Sequence, residues 1–171
     1  MAAIRVGVSG ISAMDNPGPG IGVARSLRES PDLDVEIVGL AYDSMEPGVY
    51  MDWIVDKSYI VPSPSGSASA YLARLLHIKE NHGLDLIIPC LDAELPFFIK
   101  YADELDAHGI RTFLPTMKQF KLRGKDRLGL MAERIGVDLP KTEVVTSIDT
   151  LGKAVEDIGL PGMVKGGPYQ A

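Results

Sequence analysis

Several features that mark common classes of protein are scarce in this 171-residue sequence. Its one cysteine, Cys90, excludes an internal disulfide, and His77, His82 and His108 are too scattered to form a zinc site with it. Lys and Arg number 17 against 23 Asp and Glu, a net charge of -6. Because binding to nucleic acid phosphates needs a dense basic surface, we expect no nucleic acid partner. The scattered His and Cys residues give no reason to expect a metal site.

Long apolar stretches are also missing. No run reaches the roughly 18 to 20 residues that cross a membrane. The segment from Met1 to Gly10 lacks the basic start, apolar core and cleavage site of a secretory signal. The default expectation is therefore a cytoplasmic protein without a membrane partner. The 46% hydrophobic content favours a buried core over disorder.

The first two thirds of the chain alternate between strand and helix patterns. Apolar, β-branched runs typical of buried strands occur at residues 4–9, 35–42, 58–61, 84–89 and 110–114. Apolar residues at helical spacing occur at residues 20–28, 68–82 and 95–105. This alternation predicts an α/β fold, with a parallel sheet covered on both faces.

The pattern changes after residue 115. Thr116 and Gln119 form a capping-box pattern, and a second helix pattern ends at Gly136, with no strand pattern between the two helices. Strands are then predicted at residues 140–146 and 161–165, with a helix at 149–158 between them. We therefore expect three parts: an α/β domain (1–115), a helical linker (116–139) and the incomplete start of a second domain (140–171).

A glycine-rich loop precedes the first predicted helix. Gly18, Gly20 and Gly22 lie where unpaired backbone N–H groups and the helix dipole favour an anion such as phosphate. The motif comes about ten residues later than a dinucleotide fingerprint would, and Pro17 and Pro19 remove N–H donors. A tight structural turn is the alternative interpretation.

Two acidic residues, Asp92 and Glu94, follow the fourth predicted strand. In open α/β sheets this carboxyl edge is where ligands bind, so both are candidates for orienting a small polar substrate. The alternative is that they stabilise the first turn of the helix that begins near Pro96. Cys90 has no basic activator nearby in sequence and is interpreted as a small buried hydrophobe.

Two lysines are candidates for binding phosphate. Lys165 ends an apolar predicted strand, from which its ammonium group could enter a cleft, and Lys125 lies in the basic segment 122–127. A solvated surface position is the alternative for each.

The order of these segments resembles the ATP-grasp superfamily. The resemblance rests on the α/β domain, the Lys125-Asp126 pair, the segment 136–142 (GVDLPKT) and the segment 159–165 (GLPGMVK). It runs through the whole chain and is closest to the carbamoyl-phosphate synthase large-subunit-like group, to which the segment 88–94 (IPCLDAE) is also similar. It implies a Rossmann-like pre-ATP-grasp domain, a helical linker and the start of an ATP-grasp α+β subdomain.

The resemblance also implies an activity and its site residues. Such ligases use ATP and Mg²⁺ to convert a small carboxylate substrate into an acyl phosphate, which an amine or related nucleophile attacks. Lys165 would contact the ATP phosphates, and Lys125, or Arg123 or Arg127 in its place, would be the second cation. Asp92, Glu94 and the turn from Gly18 to Gly22 become substrate-side candidates. No metal ligand is assigned, and the chain by itself is expected to be inactive.

Two other hypotheses remain open at this stage. A stand-alone dinucleotide- or sugar-nucleotide-binding module would use Gly18 to Gly22 together with Asp43, which follows the second strand. A non-catalytic interaction domain would pair its open C-terminal strands, residues 140–165, with a partner or in a homodimer.

Overall fold

The computed structural model describes residues 3–13, 17–63, 66–124 and 127–166. It divides into two compact units, with the boundary between Leu114 and Pro115. Within the described residues, no helix has the length and apolar character needed to cross a membrane.

The first unit is built on a five-stranded parallel sheet with strand order β3-β2-β1-β4-β5. The strands are β1 (Ile4–Ser9), β2 (Val35–Ala41), β3 (Lys57–Ile60), β4 (Leu86–Ile88) and β5 (Arg111–Thr112). The helices of this unit are α1 (Gly20–Glu29), α2 (Ala68–Asn81), α3 (Leu95–Lys100) and α4 (Ala102–Ala107). A short 3₁₀ helix, Pro47–Tyr50, lies between β2 and β3. The predicted α/β fold with a parallel sheet is confirmed.

Both faces of the sheet are covered because successive strand residues point to opposite sides. In β2, Ile37 packs with Ala24 of α1 on one face, whereas Val38 and Leu40 pack with Leu75 of α2 on the other. All five side chains are fully buried. Burial of each large aliphatic side chain contributes roughly 1.5 to 3 kcal/mol.

The helix predicted over residues 95–105 is divided into α3 and α4 at Tyr101, whose φ and ψ of -104° and 13° leave the helical region. Both pieces still bury the predicted stripe, including Phe98 and Leu105. The interruption therefore changes the direction of the backbone without exposing the apolar face.

The second unit contains the helices α5 (Met117–Leu122), α6 (Leu128–Ile135) and α7 (Ile148–Ile158). The capping box is confirmed, since Thr116 Oγ1 accepts from the Gln119 amide and Gln119 Oε1 accepts from the Thr116 amide. The strands predicted at 140–146 and 161–165 are wrong, since neither segment forms a strand among the described residues. Both are exposed along their length, and an extended segment that buries no surface gains little from pairing.

Candidate functional site

The carboxyl edge of the sheet is where the sequence places its candidate substrate residues. The chain order reverses between β1 and β4, because β2 and β3 lie on one side of β1 and β4 and β5 on the other. Ligands of open α/β proteins bind at such a switch point, outside the carboxyl ends of the strands. The segments that meet there are the end of β1, the loop after β2 and the β4–α3 loop, residues 89–94.

The glycines of the loop before α1 are required by close backbone packing. A Cβ on Gly20 would lie 1.9 Å from the Ser9 carbonyl oxygen, and one on Gly18 would lie 2.4 Å from that of Gly10. Gly22, in contrast, has open space around it. The first two positions therefore exclude any side chain, as the tight-turn interpretation expects.

Two of the N–H groups in this loop are already hydrogen-bonded within the chain. The Gly18 amide donates to Ser12 O at 2.8 Å and the Gly20 amide donates to Gly10 O at 3.0 Å. Helix α1 begins at Gly20, and the N–H groups of its first turn have no acceptor inside the helix. Apart from Gly20 itself, these are the amides of Ile21 and Gly22. Contact of this loop with an anion stays a prediction.

Glu94 is fully buried at the switch point. Ser9 Oγ, at the end of β1, donates to Glu94 Oε2 at 2.5 Å and accepts from the Cys90 amide at 2.9 Å. Glu94 occupies the N-cap position of α3, but its side chain makes no capping hydrogen bond. The helix-cap interpretation of Glu94 therefore does not describe its side chain, which joins the β4–α3 loop to β1.

Burial shifts the ionisation of Glu94. Desolvation raises its pKa from 4.5 to about 6, and the charge of Glu46 acts in the same direction, whereas hydrogen bonds from Ser9 and Tyr42 act against them. A carboxyl group whose pKa lies near neutrality is typical of sites that exchange protons. The raised pKa of Glu94 is therefore a consequence of its burial beneath the surface.

Two tyrosines lie beside the acidic residues. The hydroxyls of Tyr42 and Tyr71 are 3.3 Å apart, and the Tyr42 amide donates to Glu46 Oε1 at 2.9 Å. Burial is the main cause that raises the pKa of both tyrosines, and the Glu94 charge adds to it. Both phenols are therefore neutral hydrogen-bonding groups at physiological pH.

Asp92 and Cys90 belong to the same loop as Glu94 but differ in exposure. Asp92 is exposed at the sheet edge, so a molecule arriving from solvent can reach it. Cys90 is half-buried, and desolvation together with the Glu94 charge raises the pKa of its thiol to about 11. A protonated thiol is a poor nucleophile, which agrees with the interpretation of Cys90 as a small hydrophobe.

Asp43, the acid that the dinucleotide hypothesis requires, lies in the exposed turn after β2. Its Oδ1 accepts from the Met45 amide at 2.7 Å, which forms an Asx turn. This contact gives Asp43 a local structural role that does not depend on a ribose ligand.

The candidate phosphate-binding lysines are in the second unit of the chain. Lys165 lies in the exposed segment after α7. Another lysine of this unit, Lys141, precedes α7 in sequence and donates to the Asp157 carbonyl in the last turn of that helix. Lys125 lies outside the described residues.

Sequence reasoning missed Ser9, Tyr42 and Glu46. Each lies at or just beyond the carboxyl end of a predicted strand, where a polar residue ends an apolar run. That position was a usable signal, but nothing in the sequence indicates that all three surround Glu94.

Compared by sequence with protein-family models and with curated proteins, the chain matches none. Compared by structure, it is similar to the biotin carboxylase domain of 2-oxoglutarate carboxylase from Hydrogenobacter thermophilus, a domain dimer in complex with MgADP, ADP and bicarbonate. The TM-score is 0.54 and the identity 20%, over 94% of this chain and 34% of that one.

A second similar structure is the biotin carboxylase domain of a single-chain bacterial carboxylase. Here the TM-score is 0.53 and the identity 22%, over 91% of this chain and 34% of that one. The chain thus spans about a third of the length of the biotin carboxylase chains that it matches. In fold, it therefore resembles part of these biotin carboxylase domains.

Proposed function

We propose that this chain is the N-terminal portion of an ATP-grasp enzyme that activates a carboxylate with ATP for attack by an amine or related nucleophile. The observation that carries the proposal is the fold likeness to biotin carboxylase domains, which extends over 94% of the chain. The sequence segments 88–94, 136–142 and 159–165, and the order in which they follow one another along the chain, support it independently. They resemble the corresponding segments of the carbamoyl-phosphate synthase-like group.

The proposed reaction has two steps. A carboxylate oxygen attacks the γ-phosphorus of ATP, and the bond from this phosphorus to the β-phosphate oxygen breaks. The products are ADP, which is the leaving group, and an acyl phosphate. The nucleophile then attacks the acyl carbon, releases inorganic phosphate and loses a proton. Bicarbonate, which is bound by the similar 2-oxoglutarate carboxylase domain, is the simplest candidate substrate.

In this proposal the exposed residues of the chain have distinct roles. Lys165 supplies a positive point charge to the phosphates, and Lys125 a second one. Asp92, exposed at the carboxyl edge of the sheet, contacts the substrate side. Glu94 is buried and does not contact the substrate in this proposal. It affects the carboxyl edge of the sheet only by holding the β4–α3 loop against β1.

The described residues contain no preformed cluster of metal-ligating side chains. Residues 3–13, 17–63, 66–124 and 127–166 contain no group of three or more His, Cys, Asp or Glu side chains that could hold a metal ion. We therefore assign no metal ligand.

The test compares the 171-residue chain with a longer protein in which the reading frame continues beyond residue 171. We expect the extended protein to bind Mg-ATP by isothermal titration calorimetry and to release ADP when supplied with bicarbonate or another carboxylate. Lys165→Ala should weaken ATP binding at least about tenfold, the effect of losing one charge-assisted contact. Lys153→Ala is the matched control because Lys153 is exposed on α7.

Two results would contradict the proposal. Tight Mg-ATP binding with turnover by the 171-residue chain would show that the catalytic residues are within it. Binding of NAD or a sugar nucleotide that Asp43→Ala abolishes and Lys165→Ala leaves intact would favour the nucleotide-binding module instead.

A homodimer is a second proposal for this chain, favoured by exposed apolar side chains in the second unit. Large hydrophobic residues at least 80% exposed in residues 140–165 are Ile148, Leu160, Met163 and Val164. Apolar exposure of this kind is typical of surfaces that another chain covers. Molecular mass measured by size-exclusion chromatography with light scattering, at several concentrations, tests it, and a constant monomer mass contradicts it.

A further inference from the structure

Glu46 and Glu94 form a buried acid pair that the proposed function does not use. Glu94 is fully buried and Glu46 is 9% exposed. Glu46 Oε1 accepts from the Tyr42 amide and Glu94 Oε2 accepts from Ser9. The Tyr42 hydroxyl and the Leu91 amide also interact with the Glu94 carboxyl and act to lower its pKa. The other oxygens, Glu46 Oε2 and Glu94 Oε1, are buried without a hydrogen-bond partner of normal geometry among the described residues.

The groups around Glu94 provide no compensating positive charge. Ser9 faces it from β1, Tyr42 from the end of β2, Tyr71 from α2, and Glu46 and Cys90 from the two adjacent loops. Every titratable group in this set is an acid. A buried carboxylate without a cation bears a large desolvation cost, which protonation removes.

A single hydroxyl connects both ends of the β4–α3 loop to the sheet. Ser9 Oγ accepts from the Cys90 amide at the start of the loop and donates to Glu94 at its end. Asp92 lies between these two attachment points. Asp92 thus lies in a loop segment whose two ends are both attached to Ser9.

We propose that Glu94 is a proton-controlled latch for the β4–α3 loop. When its carboxyl is protonated, the side chain is neutral, stays buried against Ser9 and holds the loop closed on β1. When the proton is released to solvent, the carboxylate is an uncompensated buried charge next to Glu46, and the loop opens to admit water. Protons thereby control the order of the sheet edge that carries Asp92, whether or not the proposed ligase activity is correct.

The first test is a titration of the whole chain by ¹³C NMR of the glutamate carboxyls. We expect one glutamate, absent from the spectrum of Glu94→Gln, to have its midpoint near pH 6. Glu46→Gln should lower that midpoint because it removes the neighbouring charge. A Glu94 midpoint at or below 4.5, or no change in Glu46→Gln, would overturn the proposal.

The second test measures whether the loop opens. After correction for the intrinsic pH dependence of exchange, the Cys90 amide should exchange faster at pH 8 than at pH 5. The factor should be about 8, because a pKa of about 6 in place of 4.5 corresponds to a full ratio of about 30, of which about fourfold is already present at pH 5. Equal protection of Cys90 at both pH values would overturn the latch.

Two variants control this measurement. Glu94→Gln should remove the pH dependence, whereas Glu80→Gln, the same substitution at an exposed position of α2, should retain it. If Glu94→Gln does not fold, the titrations of the unmodified chain and of Glu46→Gln still decide the proposal.

Discussion

The Ser9 hydroxyl donates to the Glu94 carboxylate across 2.5 Å inside the core, which joins residues 85 positions apart in sequence. The same oxygen accepts from the Cys90 amide. One small side chain at the end of β1 therefore hydrogen-bonds a buried carboxyl group and attaches the β4–α3 loop to the sheet.

Ser9→Ala should destabilise the first unit. It removes the donor to Glu94 and the acceptor of the Cys90 amide, and leaves both buried groups with one partner fewer. We expect the free energy of unfolding to fall by about 2 to 4 kcal/mol, measured by urea denaturation at pH 5. Ser44→Ala, at an exposed position, should change it by less than about 0.5 kcal/mol; equal effects would mean that the Ser9 contacts contribute nothing.

Glu94→Gln should change how stability depends on pH. Because the pKa of Glu94 is raised in the folded state, its contribution is fully present below pH 4.5 and is lost as the pH rises through about 6. The wild type should therefore lose about 2 kcal/mol between pH 4 and pH 8 relative to Glu94→Gln. Urea denaturation across this range provides the comparison, and parallel profiles of the two proteins would contradict it.

Gly20→Ala should be far more damaging than Gly22→Ala, although both glycines are in the first turn of α1. An added Cβ at residue 20 would lie 1.9 Å from Ser9 O, whereas at residue 22 it meets open space. We expect Gly20→Ala to cost more than about 3 kcal/mol or to prevent folding. Gly22→Ala should stabilise the protein by up to about 1 kcal/mol because alanine favours the helix. Thermal unfolding of the two variants tests this, and similar midpoints would refute the packing argument.

The Cys90 thiol should react slowly with iodoacetamide at neutral pH. Desolvation and the Glu94 charge raise the pKa of this thiol to about 11, so roughly one thiol in a thousand is ionised at pH 8. The alkylation rate should rise with pH up to about that value. Glu80→Gln should leave this pH profile unchanged; a rate that levels off near pH 8.5 would show an unshifted thiol.

The sequence predicted the architecture of the first unit because local patterns determine it. Alternating strand and helix periodicities gave the parallel sheet, and the segment after β4 identified the edge where Asp92 is exposed. The likeness to biotin carboxylase domains agrees with the ATP-grasp resemblance at the level of the fold. The predicted strands at 140–146 and 161–165 failed because pairing depends on hydrogen-bond partners and burial, which local periodicity does not include.

The chemistry of the candidate site was less accessible to sequence reasoning. Glu94 and Asp92 have the same spacing from β4 whether they bind substrate, cap α3 or enter the core. The structure separates them: Asp92 is exposed, whereas Glu94 is fully buried against Ser9.

By itself, the sequence determined the element types of the first unit and the capping box at Thr116, because these depend on neighbours within a few residues. Only the tertiary structure decided that Ser9, Tyr42 and Glu46 surround Glu94. The ionisation of a carboxyl depends on the water and charges near it, and folding brings those groups together from distant parts of the chain.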